Sequence, residues 1–302
     1  MDIAQLPPAQ LRALLPDWLL GYVRSADAAQ TAEIRAAADA AVAAMDDATI
    51  TEGLAAYAAL GDGYTIHRAH PMAQRLGRAF MAPITQGSEV VGAARLEALT
   101  GRPQVWIGNH LSYVDTQATD ALLTAAGLSQ IADRLLTVAG PKVYSDPFRR
   151  LAALGVNTLK TPQSSTLSTN ESAMSPRELA KLAISCVRAA EQWRVEQGPV
   201  LIYPEGTRSR TGQLGPFLRA VARYVRATPE LVIVPVCVSG TERLFPMDER
   251  MYPQPVRLAV GEPFLASEAG RGKTAVLEEA RRRLLDVAPE AYKPEDGVSP
   301  VD

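Results

Sequence analysis

The rhythm of apolar positions changes near residue 86. Before it, apolar side chains recur at helical spacing. Leu11, Leu14, Leu15, Trp18, Leu19 and Tyr22 form one stripe over Ala9–Val23, which predicts a helix that Pro16 kinks or splits in two. Ser25 or Asp27 is placed to cap a second, Ala-rich helix running to about Met45. A third starts at Thr49-Ile50-Thr51-Glu52 and ends near Gly61, and Pro71 to Met81 forms a fourth. The first stripe is read as an internal packing face rather than one that lies on a membrane, because its polar side carries few Lys or Arg.

After residue 86, short apolar runs alternate with helical stretches. Strands are predicted at Val105–Ile107, Leu135–Ala139, Val156–Leu159, Val200–Tyr203, Leu231–Val238 and Val256–Val260. Helices are predicted at Thr116–Ala126, Phe148–Leu154, Arg177–Gln197, Phe217–Ala227 and Lys273–Val287. Residues 161–176, rich in Ser, Thr, Asn and Pro, form a long loop read either as a lid over an acceptor or as a disordered insert. The alternation predicts an α/β fold with a mostly parallel or mixed central sheet covered by helices. Residues 1–85 would form a helical subdomain and residues 86–302 the α/β domain.

Composition narrows the partners. Of 302 residues, 47% are hydrophobic and 21% charged, and the formal net charge is −2. No global basic field draws nucleic acid or an acidic membrane, so any anion site is built locally. Cys186 and Cys237 sit among apolar neighbours and read as reduced core residues of a cytoplasmic protein. The N-terminus lacks the pattern of a signal peptide, and the longest strongly apolar run is too short to span a bilayer. Membrane contact, if made, is peripheral, at the inner membrane.

Two corners carry the candidate chemistry. The first follows the Val105–Ile107 strand: Gly108-Asn109 breaks the pattern, then His110 arrives, with Asp115 five positions later. Five residues of regular helix rotate by roughly 500°, so His110 and Asp115 meet only if the segment begins as a turn. The second corner follows the Val200–Tyr203 strand and holds Pro204, Glu205, Gly206, Thr207, Arg208 and Ser209, with Arg210 behind. Lys142, Arg149, Arg150 and Lys160 lie between the two in sequence. A His held by a carboxylate has its tautomer fixed and its basicity raised, as a general base requires. The planar fork of an arginine suits phosphate oxygens. Together they suggest group transfer onto a hydroxyl of an anionic acceptor. Backbone N–H groups at a helix start are the candidate donors to the oxyanion.

The pair of corners resembles the glycerolipid acyltransferase superfamily, the glycerol-3-phosphate and lysophosphatidate acyltransferases. Its first motif, Asn-His-x₄-Asp, stands here as Asn109, His110 and Asp115, and its third as Tyr203-Pro204-Glu205-Gly206-Thr207-Arg208-Ser209. Its fourth, an apolar strand ending Val-Pro-Val, stands as Ile233-Val234-Pro235-Val236. The resemblance covers residues 86 to 265 or so. The segment Gly140–Phe148, closed by Gly155, looks most like the soluble plastid-type glycerol-3-phosphate acyltransferases. The resemblance implies His110 as the base on the acceptor hydroxyl and Asp115 as its orienting partner. It implies Glu205, Gly206, Thr207 and Arg208 at the acceptor's phosphate end, with Lys142, Lys160 and Arg210 as further substrate-binding groups. The donor would be acyl-CoA or an acyl carrier protein thioester, with no metal, no other cofactor and no covalent acyl-enzyme. One departure stands out. Where a basic cluster is expected, Thr161-Pro162-Gln163-Ser164-Ser165 leaves only Lys160. The acceptor then either lacks a phosphate or binds it through Arg208 and Arg210. A non-glycerolipid alcohol or amine acceptor, a thioesterase and a non-catalytic lipid carrier are the competing readings.

Overall fold

The structure is a computed structural model. It describes all residues except 1, 2, 163–173, 227, 229, 273, 295–299 and 302. Most of the loop considered as a lid therefore lies outside the described residues.

Eleven α-helices and nine strands are described. The first helices are α1 (Pro8–Leu20), α2 (Ala28–Ala43), α3 (Asp47–Ala59) and α4 (Pro71–Ile84). Asp27 caps α2 by accepting from the N–H groups of Ala29 and Gln30, and Asp46 caps α3. The break expected at Pro16 is absent, and α1 runs through it as one helix. Its stripe explains why: Leu11, Leu15 and Leu19 are all buried in one core with α2 and α4, and that packing outweighs the one backbone bond a proline removes.

The strands are β1 (Ile66–His67), β2 (Glu89–Val91), β3 (Gln104–Gly108), β4 (Leu136–Ala139), β5 (Asn157–Lys160), β6 (Val200–Ile202), β7 (Val232–Ser239), β8 (Arg257–Val260) and β9 (Phe264–Leu265). They form one sheet in the order β1-β5-β4-β6-β3-β7-β8-β2, with β9 beside β7. The five inner strands β5, β4, β6, β3 and β7 are mutually parallel. β1, β8 and β9 join antiparallel, so the sheet is mixed. The remaining helices are α5 (Ala93–Glu97), α6 (Asp115–Ala125), α7 (Ser129–Ala132), α8 (Pro147–Leu154), α9 (Pro176–Glu196), α10 (Thr241–Leu244) and α11 (Ala275–Leu285).

The sheet separates two cores. β3 sends Trp106 into one and Val105 and Ile107 into the other, as the period of two along a strand demands. The Trp106 core contains α1 to α4, α6 and α8, so the N-terminal helices share it with the sheet. The opposite core takes α9 and α11. The helix expected over Phe217–Ala227 is instead a 3₁₀ turn at Arg219–Arg223. Phe217 is drawn into a bridge with Val301, and the buried guanidinium of Arg194 donates to the carbonyl of Tyr224, which fixes the segment by tertiary contacts.

Candidate active site

β3 and β6 are adjacent and parallel, with Ile107 opposite Ile202, so both corners emerge side by side at one sheet edge. On the other flank of β3 lies β7, and this reversal of strand order is where open α/β sheets place their sites. Asn109 locks the first corner to β7. Its amide donates to the carbonyl of Val238 at 2.8 Å, and its oxygen accepts from the Val238 N–H at 2.9 Å.

The chain turns through residues 109–114 and enters α6 at Asp115. That turn swings Asp115 back beneath His110, whose Nδ1 lies 2.8 Å from Asp115 Oδ2. The carboxylate is fully buried and saturated. Leu111 N–H donates at 2.7 Å, Ser112 N–H at 3.0 Å, and the Thr241 hydroxyl at 2.5 Å. Because Asp115 accepts everywhere, Nδ1 carries the proton and Nε2 is left with its lone pair. The N–H groups of Leu111 and Ser112, in the turn before α6, are spent on Asp115. They are unavailable to an oxyanion.

At the second corner Gly206 has φ +69°, the left-handed region that favours glycine, and closes a turn by donating to the carbonyl of Tyr203. The Tyr203 ring stacks on His110, with centroids 4.5 Å apart and 16° between planes. Its phenol meets the Thr116 hydroxyl at 3.1 Å, and burial keeps it protonated, well above the usual tyrosine range. Glu205, expected at the acceptor, is buried with both oxygens taken. One accepts from the His110 N–H at 2.9 Å, the other from Gly215 N–H at 2.8 Å. Burial pushes its carboxyl above the usual range, partly offset by those two donors. Ser209 N–H also donates to the His110 carbonyl at 2.7 Å. Glu205 thus ties the corners together.

Arg208 lies with its guanidinium carbon 3.7 Å from the ring centroid of Tyr113, three residues beyond His110. Arg149, from the first turn of α8, approaches the same ring at 4.4 Å and donates to Glu249 at 2.8 Å. Arg208 Nη1 and Arg149 Nε are buried without a hydrogen-bond partner. Thr207 and Arg210 are exposed, as is Lys142 after β4. Lys160 ends β5 at the same sheet edge, but its ammonium donates to the Gly61 carbonyl at 2.7 Å and sits 4.9 Å over Tyr64. The sequence marks Arg149 only as one basic residue among four. Tyr113 and Thr241 carry no local signal at all.

An apolar cleft opens beside this edge, between α1, α4, α6 and α8. Leu76, Gly77, Phe80, Val114, Phe148 and Leu151 line it. Its enclosed space of about 50 Å³ has room for only a few waters, so a long chain enters only if side chains part. Among the described residues, no helix is long and apolar enough to cross a membrane.

Residues 87–239 match the family model described as Acyltransferase. Among curated proteins, the chain is 25% identical over 186 residues to a chloroplastic 1-acyl-sn-glycerol-3-phosphate acyltransferase, BAT2, of Brassica napus, covering 61% of this chain and 46% of that one. It is 24% identical over 186 residues to the chloroplastic enzyme LPAT1 of Arabidopsis thaliana, covering 61% and 44%. The chain thus spans less than half the length of these relatives. A solved structure, the 1-acyl-sn-glycerophosphate (LPA) acyltransferase PlsC from Thermotoga maritima, aligns over 92% of this chain and 98% of that one, with 15% identity and a TM-score of 0.46.

Proposed function

This chain belongs to the acyltransferase family, and from that premise we propose that it moves a fatty acyl group from a thioester to the free hydroxyl of a lysophosphatidate-type acceptor. The observation that carries the reading is the His110–Asp115 pair at the end of a central parallel strand, with Arg208 and Arg149 against the ring of Tyr113 three residues on. The names of the plant relatives favour 1-acylglycerol-3-phosphate over glycerol-3-phosphate. The donor is acyl-CoA or acyl carrier protein.

His110 Nε2 takes the proton from the acceptor hydroxyl as its oxygen attacks the thioester carbonyl. Asp115 holds the imidazole in the tautomer with Nε2 free and stabilises the cation that forms. The tetrahedral intermediate collapses, the C–S bond breaks, and His110 returns the proton to the leaving thiolate. The products are the ester and a free thiol. Tyr203 packs flat against the imidazole and restricts its rotation. Glu205 fixes the backbone on which His110 sits. The acyl chain lies in the cleft between α1, α4, α6 and α8, and Arg208 holds the acceptor's anionic end.

His110→Ala, purified and shown folded, is the test. Loss of roughly 10²–10⁴ in transfer from acyl-CoA to lysophosphatidate is expected. Transfer at the wild-type rate would overturn the mechanism. Free acid released by wild type at a rate indifferent to any added alcohol would replace transfer with hydrolysis.

A further inference from the structure

We propose that Arg149 is a second anion-binding residue of the acceptor pocket, and that Glu249 is its built-in stand-in for the substrate, displaced when the acceptor's phosphate arrives. The inference rests on the acceptor reading above and adds to it a residue and a competitor.

Two guanidinium groups converge on one tyrosine ring. Arg208 and Arg149 lie 3.7 and 4.4 Å from the centroid of Tyr113. Two cations held against one ring favour an anion nearby. Among the described residues, Glu249 is the carboxylate paired with either arginine, through Arg149 Nη1 at 2.8 Å. One negative charge against two positive leaves a local surplus. The surplus comes with open valences, since Arg149 Nε and Arg208 Nη1 are buried and unpartnered. A buried guanidinium N–H without an acceptor is costly, and such groups are nearly always satisfied. A phosphate monoester admitted beside Tyr113 as Glu249 swings away supplies acceptors and the missing charge, and arginine's planar fork suits its oxygens.

Glu249 is built to let go. It is the sole non-glycine residue with positive φ among those described, at +54°, a conformation that needs support from its surroundings. Its side chain keeps 31% of its surface exposed, so it can swing into water, whereas Arg149 keeps 15%. Arg149 is further held by its place in the first turn of α8, which Asp146 caps through the N–H groups of Phe148 and Arg149. The mobile partner is therefore the acid, and the fixed one is the base.

A simple staple between α8 and the segment around Glu249 would use the same ion pair, and the two roles differ in sign. If the pair is only a staple, Arg149→Gln and Glu249→Gln break the same bond and act alike. If Glu249 competes with substrate phosphate, they act oppositely. Removing Arg149 costs a charge-assisted hydrogen bond, and the KM for lysophosphatidate should rise roughly ten- to hundredfold. Removing the Glu249 charge should lower that KM several-fold, with kcat changed less than KM. The double variant should behave as Arg149→Gln alone.

The experiment measures transfer kinetics for both variants with lysophosphatidate and acyl-CoA varied in turn, and binding of inorganic phosphate by calorimetry. Thermal melts identify a misfolded variant, for which Arg149→Lys is substituted. Opposite shifts in acceptor KM and in phosphate affinity support the proposal. Shifts of the same sign, or none, overturn it. A change confined to the KM of acyl-CoA also overturns it, by assigning the pocket to a phosphate of the donor. If phosphate binding shows the opposed signs while no acceptor is acylated by wild type, the pocket stands and the transfer reading fails.

Discussion

Replacing Asp115 by Asn tests how much of the site depends on one buried charge. Four donors converge on this carboxylate: His110 Nδ1, the N–H groups of Leu111 and Ser112, and the Thr241 hydroxyl. An asparagine amide has one acceptor oxygen. Placed at Oδ2, it keeps His110, Leu111 and Ser112, while the new NH₂ donates to the Thr241 oxygen. The buried Thr241 hydroxyl proton loses its acceptor, and three charge-assisted hydrogen bonds become neutral ones. At about 1 kcal/mol each, those three cost the fold about 3 kcal/mol. Asp115→Ala would leave all four donors unsatisfied at about 1–3 kcal/mol each, comparable to the whole stability of a domain. Asn is therefore the informative variant. In catalysis the carboxylate faces an imidazolium in the transition state. A charge pair about 4 Å apart at an effective dielectric of about 20 is worth about 4 kcal/mol, which bounds the loss near 10³. We expect Asp115→Asn to fold, to unfold at lower urea, and to lose roughly 10²–10³ in single-turnover transfer with little change in KM. A variant within threefold of the wild-type rate, or equally stable in urea, would refute the reasoning.

The remaining predictions probe neighbouring parts. Glu205→Gln turns an NH₂ toward one of two backbone donors, His110 or Gly215, and should cost about 1–3 kcal/mol in urea unfolding and slow transfer without changing donor KM. Arg78 clamps Asp120 with two bonds of 2.8 and 2.7 Å, so Arg78→Met should destabilise by about 3–5 kcal/mol at neutral pH. Burial already raises the Asp120 carboxyl, and without Arg78 it rises further. A raised carboxyl contributes a stability that is full below its unfolded value and is lost as pH climbs through the folded one. The deficit of Arg78→Met should therefore shrink from pH 7 to pH 5, and a constant deficit would contradict the assignment. Gly77 lines the cleft, and a Cβ there meets nothing within 4 Å. Gly77→Leu should gain up to about 1 kcal/mol in helix propensity while shifting acyl preference toward shorter chains. An unchanged preference across a series of acyl-CoA donors would remove the chain from this cleft.

What was legible in the sequence divides by the range of the signal. The inner strands β3, β6 and β7 are short runs of apolar residues, and such runs announce strands buried on both faces. The turns after β3 and β6 were legible too, because Gly108-Asn109 and Pro204–Gly206 break the pattern within a residue or two. β1, β2 and β9 span two or three residues, too few for a period of two to register. The helix expected after Phe217 failed because its amphipathic pattern was real but short, and contacts with Arg194 and Val301 decided the backbone. The site shows the same division. His110 and Asp115 are five residues apart and could be paired by turn geometry. Thr241 donates to Asp115 across 126 positions, and Arg149 meets Glu249 across 100.

That division also explains the position of the basic residues. Reading along the chain, the cation expected for a phosphate should follow β5, where only Lys160 remains. In the fold, Lys160 is turned toward the N-terminal region and bound to the Gly61 carbonyl, three strands from His110. At about 4.8 Å per strand, that is roughly 14 Å away, beyond direct contact with a phosphate held near the base. Arg149 comes from α8, one element earlier, and its side chain reaches the ring of Tyr113, three residues after His110. A helix side chain covers the surface over the preceding turn, so a residue in the first turn of α8 projects past the helix start and toward the sheet edge. On the proposed reading, the pocket's charge comes from a different element than linear spacing indicates.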